Sequence, residues 1–431
     1  MKHKTIYTLL LSVALFSCAL VLSAQTALQR TLEAFPDVKK VQVLESEHFT
    51  EKYLLYVQQP VDHKHPETGS FSQRVFVMHI GEDRPTVMVT EGYGAAYAAA
   101  PRYNDEVARL INANLIVVEH RYFLESVPEP LNWDYLTAEN SANDLHRVNQ
   151  MMRTIYTQKW LATGISKGGQ TTMIYRTFFP DDIDVSIPYV GPLCWGVEDG
   201  RHEPFLRDVV GTPEDRATLL AFQHEILKRR AQIMPLFEAY CKTKNLVFRI
   251  PLEEVYDFSV LEYPFAFWQF GTPIGMVPDI ESDDETLFTH WNRISSPDYF
   301  ESESDTTPFF VQAAKELGYY GYDTEPFKGL LTIKDAKGYL SKIFLPERVE
   351  ISFDPTLYNR ISRFLNVSQG KFIFIYGEYD PWFAPAAPDP HTPNVLYVVA
   401  PKGSHRARIG NLPQGMKDQV IETLNTWLQE Q

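Results

Sequence analysis

The sequence predicts an α/β fold: a mainly parallel sheet whose order along the chain is broken by one large, mainly helical insertion. Three observations carry this. Short β-rich runs alternate with helical periods from residue 86 to residue 190, the alternation then stops for roughly 175 residues, and it resumes at residue 371. Strands alternating with helices imply parallel pairing through right-handed crossovers. At 431 residues the chain is long enough for a core and a second unit.

The elements follow in order. Residues 53–58 alternate, 73–79 are β-rich and 86–90 form a short apolar run, with turn signals between them at His65-Pro66, Gly69 and Asp83-Arg84-Pro85 that suit hairpins. Next come a helix over 104–111, a buried strand over 115–118, a helix over 138–157, a strand over 160–163, a helix over 169–179 and a strand over 184–190. The insertion begins with a helical stretch over 216–242 that places Leu219, Leu220, Phe222, Ile226, Leu227, Ile233, Leu236, Phe237 and Tyr240 at amphipathic spacing. It continues rich in aromatics, proline and acids. Core grammar returns with strands over 371–375 and 394–400 and a closing helix over 413–428. Residues 25–47 predict no more than a short helix.

The first residues read as an export leader. Lys2 and Lys4 precede an apolar run from Leu9 to Leu22, and Leu22-Ser23-Ala24 offers a small-residue cleavage site, so a signal peptide cut after Ala24 is expected. No later stretch is apolar for the length a membrane span needs. The net charge of −15 becomes more negative without the leader, which argues against nucleic acid or anionic membrane surfaces as partners. Cys194 and Cys241 are the cysteines that remain, and an oxidising compartment would permit them to pair.

Gly164-Ile165-Ser166-Lys167-Gly168 matches G-x-S-x-G and lies between a predicted strand and a predicted helix. Such a turn exposes the Ser166 hydroxyl on a strained backbone, and glycine at both flanks avoids collision with neighbouring elements. A serine hydroxyl is a poor nucleophile, so it needs a histidine base and an acid that fixes the histidine's tautomer, in the chain order Ser, acid, His. Asp380 in Tyr376-Gly377-Glu378-Tyr379-Asp380-Pro381 follows a core strand, and His405 in Gly403-Ser404-His405 lies between the last strand and the last helix. Glu378, Asp389 and His391 fit less well, and His391 precedes the last strand. Backbone amides of Tyr93, in the glycine-containing loop Thr90-Glu91-Gly92-Tyr93-Gly94-Ala95, and of Lys167 are the expected oxyanion donors. The fold expected is therefore the α/β-hydrolase fold with a large, mainly helical cap domain. The core occupies 25–191 and 366–431, and the cap 192–365. No metal-ligand spacing, phosphate loop or dinucleotide glycine pattern occurs, and His63-Lys64-His65 reads as a solvated turn, so no cofactor and no metal are expected.

These segments, with Glu119-His120-Arg121-Tyr122-Phe123-Leu124-Glu125-Ser126, Tyr135-Leu136-Thr137-Ala138-Glu139 and Glu262-Tyr263-Pro264-Phe265-Ala266-Phe267-Trp268-Gln269, resemble the secreted bacterial serine tripeptidyl aminopeptidases over nearly the whole mature chain. Those enzymes are relatives of prolyl carboxypeptidase and dipeptidyl peptidase II. Phe123, Leu124 and Asn140 depart from the pattern of the prolyl-specific relatives, so their proline preference is not assumed, and a prolyl-specific dipeptidyl peptidase or carboxypeptidase stays as an alternative. The resemblance implies hydrolysis of peptides from a free N-terminus, with the cap closing one end of the cleft. An exopeptidase of that kind needs a carboxylate for the substrate ammonium, and the resemblance places it at Glu262. Tyr263, Phe265, Phe267 and Trp268 either line neighbouring subsites or pack the cap. Glu119 and Arg121 read as a structural ion pair near the site.

Two other readings use the same residues. An esterase or lipase would employ the same triad, but the insertion carries Asp279, Glu281, Asp283, Asp284 and Glu285, which suit a cationic amine better than a fatty chain. A binding module that kept the fold and lost activity is opposed by an intact Ser, Asp, His order.

Overall fold

A computed structural model describes residues 25–302 and 304–430. The expected leader, with its cut after Ala24, lies outside the described residues. Among the described residues nine strands form one sheet in the order β1-β2-β3-β5-β4-β6-β7-β8-β9. They are β1 (Val38–Val43), β2 (Glu51–Pro60), β3 (Ser70–His79), β4 (Thr86–Thr90), β5 (Asn114–Val118), β6 (Trp160–Ile165), β7 (Val185–Tyr189), β8 (Lys371–Gly377) and β9 (Val395–Ala400). β1, β2, β3 and β5 pair antiparallel in succession, and every pair from β5 through β4 to β9 is parallel. This is the α/β-hydrolase arrangement, with an extra strand at the antiparallel edge.

Alternate side chains feed the two faces of the sheet. Val87, Val89, Leu115 and Val117 enter one apolar layer, while Met88, Ile116 and Val118 enter the opposite one. α2 (Glu106–Ile111) and α12 (Gln414–Gln429) cover the first face, and α1 (Ala27–Ala34) and α3 (Ala138–Met152) the second. The helix starts are set locally. Asp105 caps α2 through the amides of Val107 and Ala108, at 2.8 and 3.2 Å, and Thr137 caps α3 through the Asn140 amide at 3.1 Å. α4 (Lys167–Phe178) is buried along almost its whole length between the sheet, α3 and α11 (Thr356–Val367). α11 lies on the core, where Leu357, Ile361 and Leu365 join Phe372 and Phe374 of β8.

Between β7 and α11 the chain forms the cap. It contains α5 (His202–Pro204), α6 (Pro213–Lys228), α7 (Arg230–Lys244), α8 (Leu252–Gln269), α9 (Asp284–Ile294) and α10 (Thr307–Gln312). The single helical stretch expected over 216–242 is two helices, broken at Arg229, whose φ of −87° and ψ of 20° end the first. A separate apolar core holds the cap together, and Tyr122, Leu136 and Trp382 from core loops join it. β1 was not expected from the sequence. It is an edge strand with Lys39 and Lys40 exposed and only Val38 buried, so it lacks the alternation that marks a half-buried strand.

Two smaller expectations are corrected. Glu119 and Arg121 do not pair with each other, because β5 ends at Val118 and the chain then turns through Tyr122 at φ 71°. Glu119 instead takes Arg74, and Arg121 takes Asp144 at 2.6 and 2.7 Å, both pairs buried. His63 is not solvated, since its ring meets Asp144 at 2.7 Å. Among the described residues Cys194 and Cys241 are buried and form no disulfide. Among the described residues no helix is long and apolar enough to cross a membrane.

Candidate active site

The loops after β4, β6, β8 and β9 converge at the carboxyl edge of the sheet, the usual place for a site on an open parallel sheet. Ser166 stands alone between β6 and α4 with φ 59° and ψ −121°, a conformation that side-chain-bearing residues rarely adopt. Its amide is anchored to the Tyr189 carbonyl of β7 at 2.9 Å. The flanking glycines are forced by close packing. A Cβ on Gly164 would lie 2.3 Å from the Gly168 carbonyl oxygen, and one on Gly169 would lie 2.7 Å from that of Tyr189.

Asp380 follows β8 and is fully buried. One carboxylate oxygen accepts from the Trp382 amide at 3.1 Å, and the other meets His405 Nδ1 at 2.6 Å. The aspartate is thus fixed by its own turn and fixes the imidazole in turn. His405 Nε2 is buried and makes no hydrogen bond with any described residue. The His405 amide donates to the Gln269 carbonyl at 3.0 Å, which ties the histidine loop to the last residue of α8. Glu378 accepts from the Lys402 amide, and Asp389 pairs with the exposed His391, so both stay outside this arrangement.

A cavity of about 380 Å³ opens at the elbow and is lined by Ser166, Tyr93, Lys167, Glu262 and an aromatic wall that includes Tyr319, Tyr320 and Trp382. The structure therefore gathers Asp380 and His405 as one pair, and Ser166, Tyr93, Lys167 and Glu262 around one cavity. The hydrogen bond that would join the two groups, from Ser166 to His405, is not made. Lys167 is the first residue of α4, so its amide has no carbonyl one turn back in the helix to satisfy it. Tyr93 follows β4, with its carbonyl held by the His120 amide at 3.1 Å and its ring against Phe123 and Phe309.

Glu262, in α8, is the one carboxylate among the residues lining this cavity. It is 6% exposed, and a single carboxylate oxygen accepts from both Tyr320 Oη and Tyr322 Oη at 2.8 Å. Burial pushes it up to about 7, while the two tyrosine hydrogen bonds pull it back toward the ionised form. Glu262, Ala266 and Gln269 form one face of α8 toward this cavity, and Leu261, Pro264, Phe265 and Trp268 form another toward a second cavity of about 340 Å³.

Tyr263 and Phe267 consequently pack the cap, Phe265 and Trp268 border the second cavity, and none of the four lines the Ser166 cavity. The lining aromatics come instead from Tyr93, Phe270, residues 299–320 and Trp382. The sequence signal for them was the tyrosine cluster at 319, 320 and 322 around Gly321. The acid-rich stretch over 279–285 is also not at the site. Asp283 caps α9 through the Thr286 amide at 2.7 Å, and Asp284 meets Arg229 at 3.2 Å. Among the described residues no group of three His, Cys, Asp or Glu is arranged to hold a metal.

The chain is similar to several known proteins. The model of the family described as PS-10 peptidase S37 matches residues 31–428. The prolyl tri/tetrapeptidyl aminopeptidase of Streptomyces mobaraensis is 30% identical over 339 residues, which cover 77% of this chain and 70% of that one. Among solved structures, the proline iminopeptidase of Mycobacterium smegmatis aligns over 90% of this chain and 99% of its own at 13% identity and a TM-score of 0.39. The acetyl xylan esterase of Paenibacillus sp. R4 aligns over 91% of each chain at 8% identity and a TM-score of 0.39.

Proposed function

From the premise that the chain belongs to the PS-10 peptidase S37 family and is a serine exopeptidase, we propose that it is an exported aminopeptidase releasing short peptides, tripeptides foremost, from a free N-terminus. In this reading Ser166 attacks the scissile carbonyl, His405 Nε2 takes the hydroxyl proton and delivers it to the leaving amine, and Asp380 holds the imidazole through Nδ1. The amides of Tyr93 and Lys167 receive the oxyanion, and water then opens the acyl-enzyme by the same route. Closing the hydrogen bond from Ser166 to His405 on substrate binding fits the way catalytic hydrogen bonds tighten in the loaded enzyme.

The observation that carries the reading is Glu262: a single buried carboxylate in the cavity that contains the nucleophile, braced by two tyrosine hydroxyls and with one oxygen left for a ligand. A free α-ammonium is the group such a carboxylate suits, by a charge-assisted hydrogen bond in a desolvated place. Export rests on the leader over 1–24. A prolyl preference like that in the name of the Streptomyces mobaraensis relative is a second reading, favoured by an aromatic wall in which Tyr319 and Tyr320 stack and Trp382 meets Tyr320 edge-on, which suits a compact apolar ring.

The test uses a tripeptide amide reporter with a free N-terminus, its N-acetylated twin and a short-chain ester, on wild type and Ser166→Ala. Cleavage of the free-amine reporter alone, abolished in Ser166→Ala, is expected. Equal cleavage of the acetylated twin would remove the amine anchor, and reaction of the ester alone would replace the peptidase by an esterase.

A further inference from the structure

Lysine is among the residue types least often fully buried. Lys167 is 2% exposed, and its ammonium donates to the Gly92 carbonyl at 2.7 Å. The same nitrogen stands 5.8 Å from the centre of the Tyr93 ring and 5.6 Å from that of Phe123. Gly92 is pressed against it, for a Cβ there would lie 2.7 Å from Lys167 Cβ and Cγ and 2.8 Å from the Gly168 nitrogen.

The Gly92 carbonyl and the Tyr93 amide belong to one peptide unit. That unit is planar and trans, so its C=O and N–H point in opposite directions. Whatever grips the oxygen of Gly92 aims the N–H of Tyr93. A positive charge on the carbonyl also polarises the unit and strengthens the amide as a donor. The other side of the same residue is held as well, since the Gly92 amide donates to Glu91 at 3.3 Å.

We propose that the Lys167 side chain is the positioning group of the oxyanion site: its backbone amide supplies one donor, and its ammonium, latched to Gly92, orients the other at Tyr93. This rests on the assignment of Ser166 as nucleophile and of the two amides as oxyanion donors. The latch acts on the transition state and not on the bound substrate, because the charge it serves develops only when the carbonyl becomes tetrahedral.

The latch is also sensitive to pH. Burial pulls the Lys167 ammonium down to about 7, against the attraction of Glu91 beside Gly92 and of Glu316 from the cap. His120, on the segment after β5, is held neutral by burial and by this same positive charge. The latch is therefore charged below about pH 7 and loses its charge above it, so kcat is expected to fall as pH rises through that range.

The experiment compares wild type, Lys167→Met and Ser166→Ala on the free-amine tripeptide amide, with a peptide aldehyde that forms a tetrahedral adduct and an uncleavable peptide of the same sequence. Lys167→Met keeps the apolar stem and removes the ammonium. Loss of about 10- to 100-fold in kcat is expected, below the cost of deleting a donor outright. KM and affinity for the uncleavable peptide should stay within about two-fold, and affinity for the aldehyde should fall by the same factor as kcat/KM. The decline in kcat above pH 7 should disappear. Gly92→Ala, whose Cβ would press on the Lys167 stem and displace the same peptide unit, should give the same split, and it serves if Lys167→Met does not fold.

An unchanged kcat in Lys167→Met overturns the latch. So does a loss shared equally by KM, the uncleavable peptide and the aldehyde, which would make Lys167 a packing residue. With Ser166→Ala inactive, those results count against the latch alone. Activity surviving in Ser166→Ala would remove the assignment on which it rests.

Discussion

The two halves of the site are built by opposite means. On the core side the backbone imposes the geometry: Ser166 sits at positive φ, and glycines pack against main chain at distances no Cβ tolerates. On the cap side the geometry is imposed by side chains, as Glu262 is held by two tyrosine hydroxyls against a wall of stacked rings. Backbone constraint admits one residue type and leaves a mark in the sequence. Side-chain constraint admits many arrangements of the same aromatics and leaves almost none.

The sharpest division between the halves comes from removing the proposed nucleophile. Ser166→Ala is expected to lower kcat by about 10⁴- to 10⁶-fold with KM nearly unchanged, since only the attacking atom is lost. Thermal unfolding should not move by more than a few degrees. A residual activity within 100-fold of wild type would show that chemistry is carried elsewhere. Gly164→Ala tests the backbone constraint itself. With its Cβ 2.3 Å from the Gly168 carbonyl oxygen, the elbow must shift, and both activity and stability should fall, the latter by about 1–3 kcal/mol or more as for other overpacked sites. A fully active and equally stable variant would mean that the elbow is looser than its packing implies.

On the cap side the largest effect should come from Glu262→Gln. It keeps the shape and removes the charge, and loss of one charge-assisted hydrogen bond of about 1.5–3 kcal/mol predicts a fall in kcat/KM of roughly 10- to 150-fold. The acylation step would be spared, so kcat at saturating substrate should change far less. The sign of the pH dependence follows from burial. Glu262 is ionised only above about 7, so in wild type kcat/KM for a free-amine peptide should fall as pH drops through that value. Glu262→Gln should lose this contribution. An identical acid limb in both would separate Glu262 from the amine.

The same contrast explains what could be read in advance. The core strands from β4 through β9 and the elbow were legible because each depends on local pattern: a short apolar run, or glycine at two fixed offsets from a serine. Asp380 and His405 were legible by topological place, each following a core strand. β1 was not, because an edge strand defended by Lys39 and Lys40 carries little of the pattern of a strand. The partners of Glu119 and Arg121 were hidden because Arg74 and Asp144 lie far along the chain. In the cap, Glu262 came from a resemblance and not from spacing, and its neighbours in sequence, Phe265 and Trp268, face away from Ser166. The acids over 279–285 misled for a related reason, since charge counted along the chain says nothing about which face of the fold receives it.

The smallest of the expected effects is also the most specific to the side-chain half. Tyr320 and Tyr322 give their hydrogen bonds to the same oxygen of Glu262 and oppose the rise caused by burial. Tyr322→Phe removes one of them without touching the cavity wall, because Tyr320 and not Tyr322 is among the lining residues. The carboxylate should then protonate more readily, its pKa moving further above the value of about 7 in the intact site. At pH 7 a larger share of the enzyme would carry a neutral Glu262, and KM for the free-amine tripeptide should rise by about 3- to 10-fold, the worth of one modest hydrogen bond. Raising the pH toward 8 should recover part of that loss, since it restores the carboxylate while the substrate's α-ammonium, with an ordinary pKa of about 7.7–8, is still partly charged. Glu262→Gln, which has no carboxylate to restore, should show no such recovery. If Tyr322→Phe instead weakens binding equally at every pH, the hydroxyl serves to place the carboxylate and not to keep it charged.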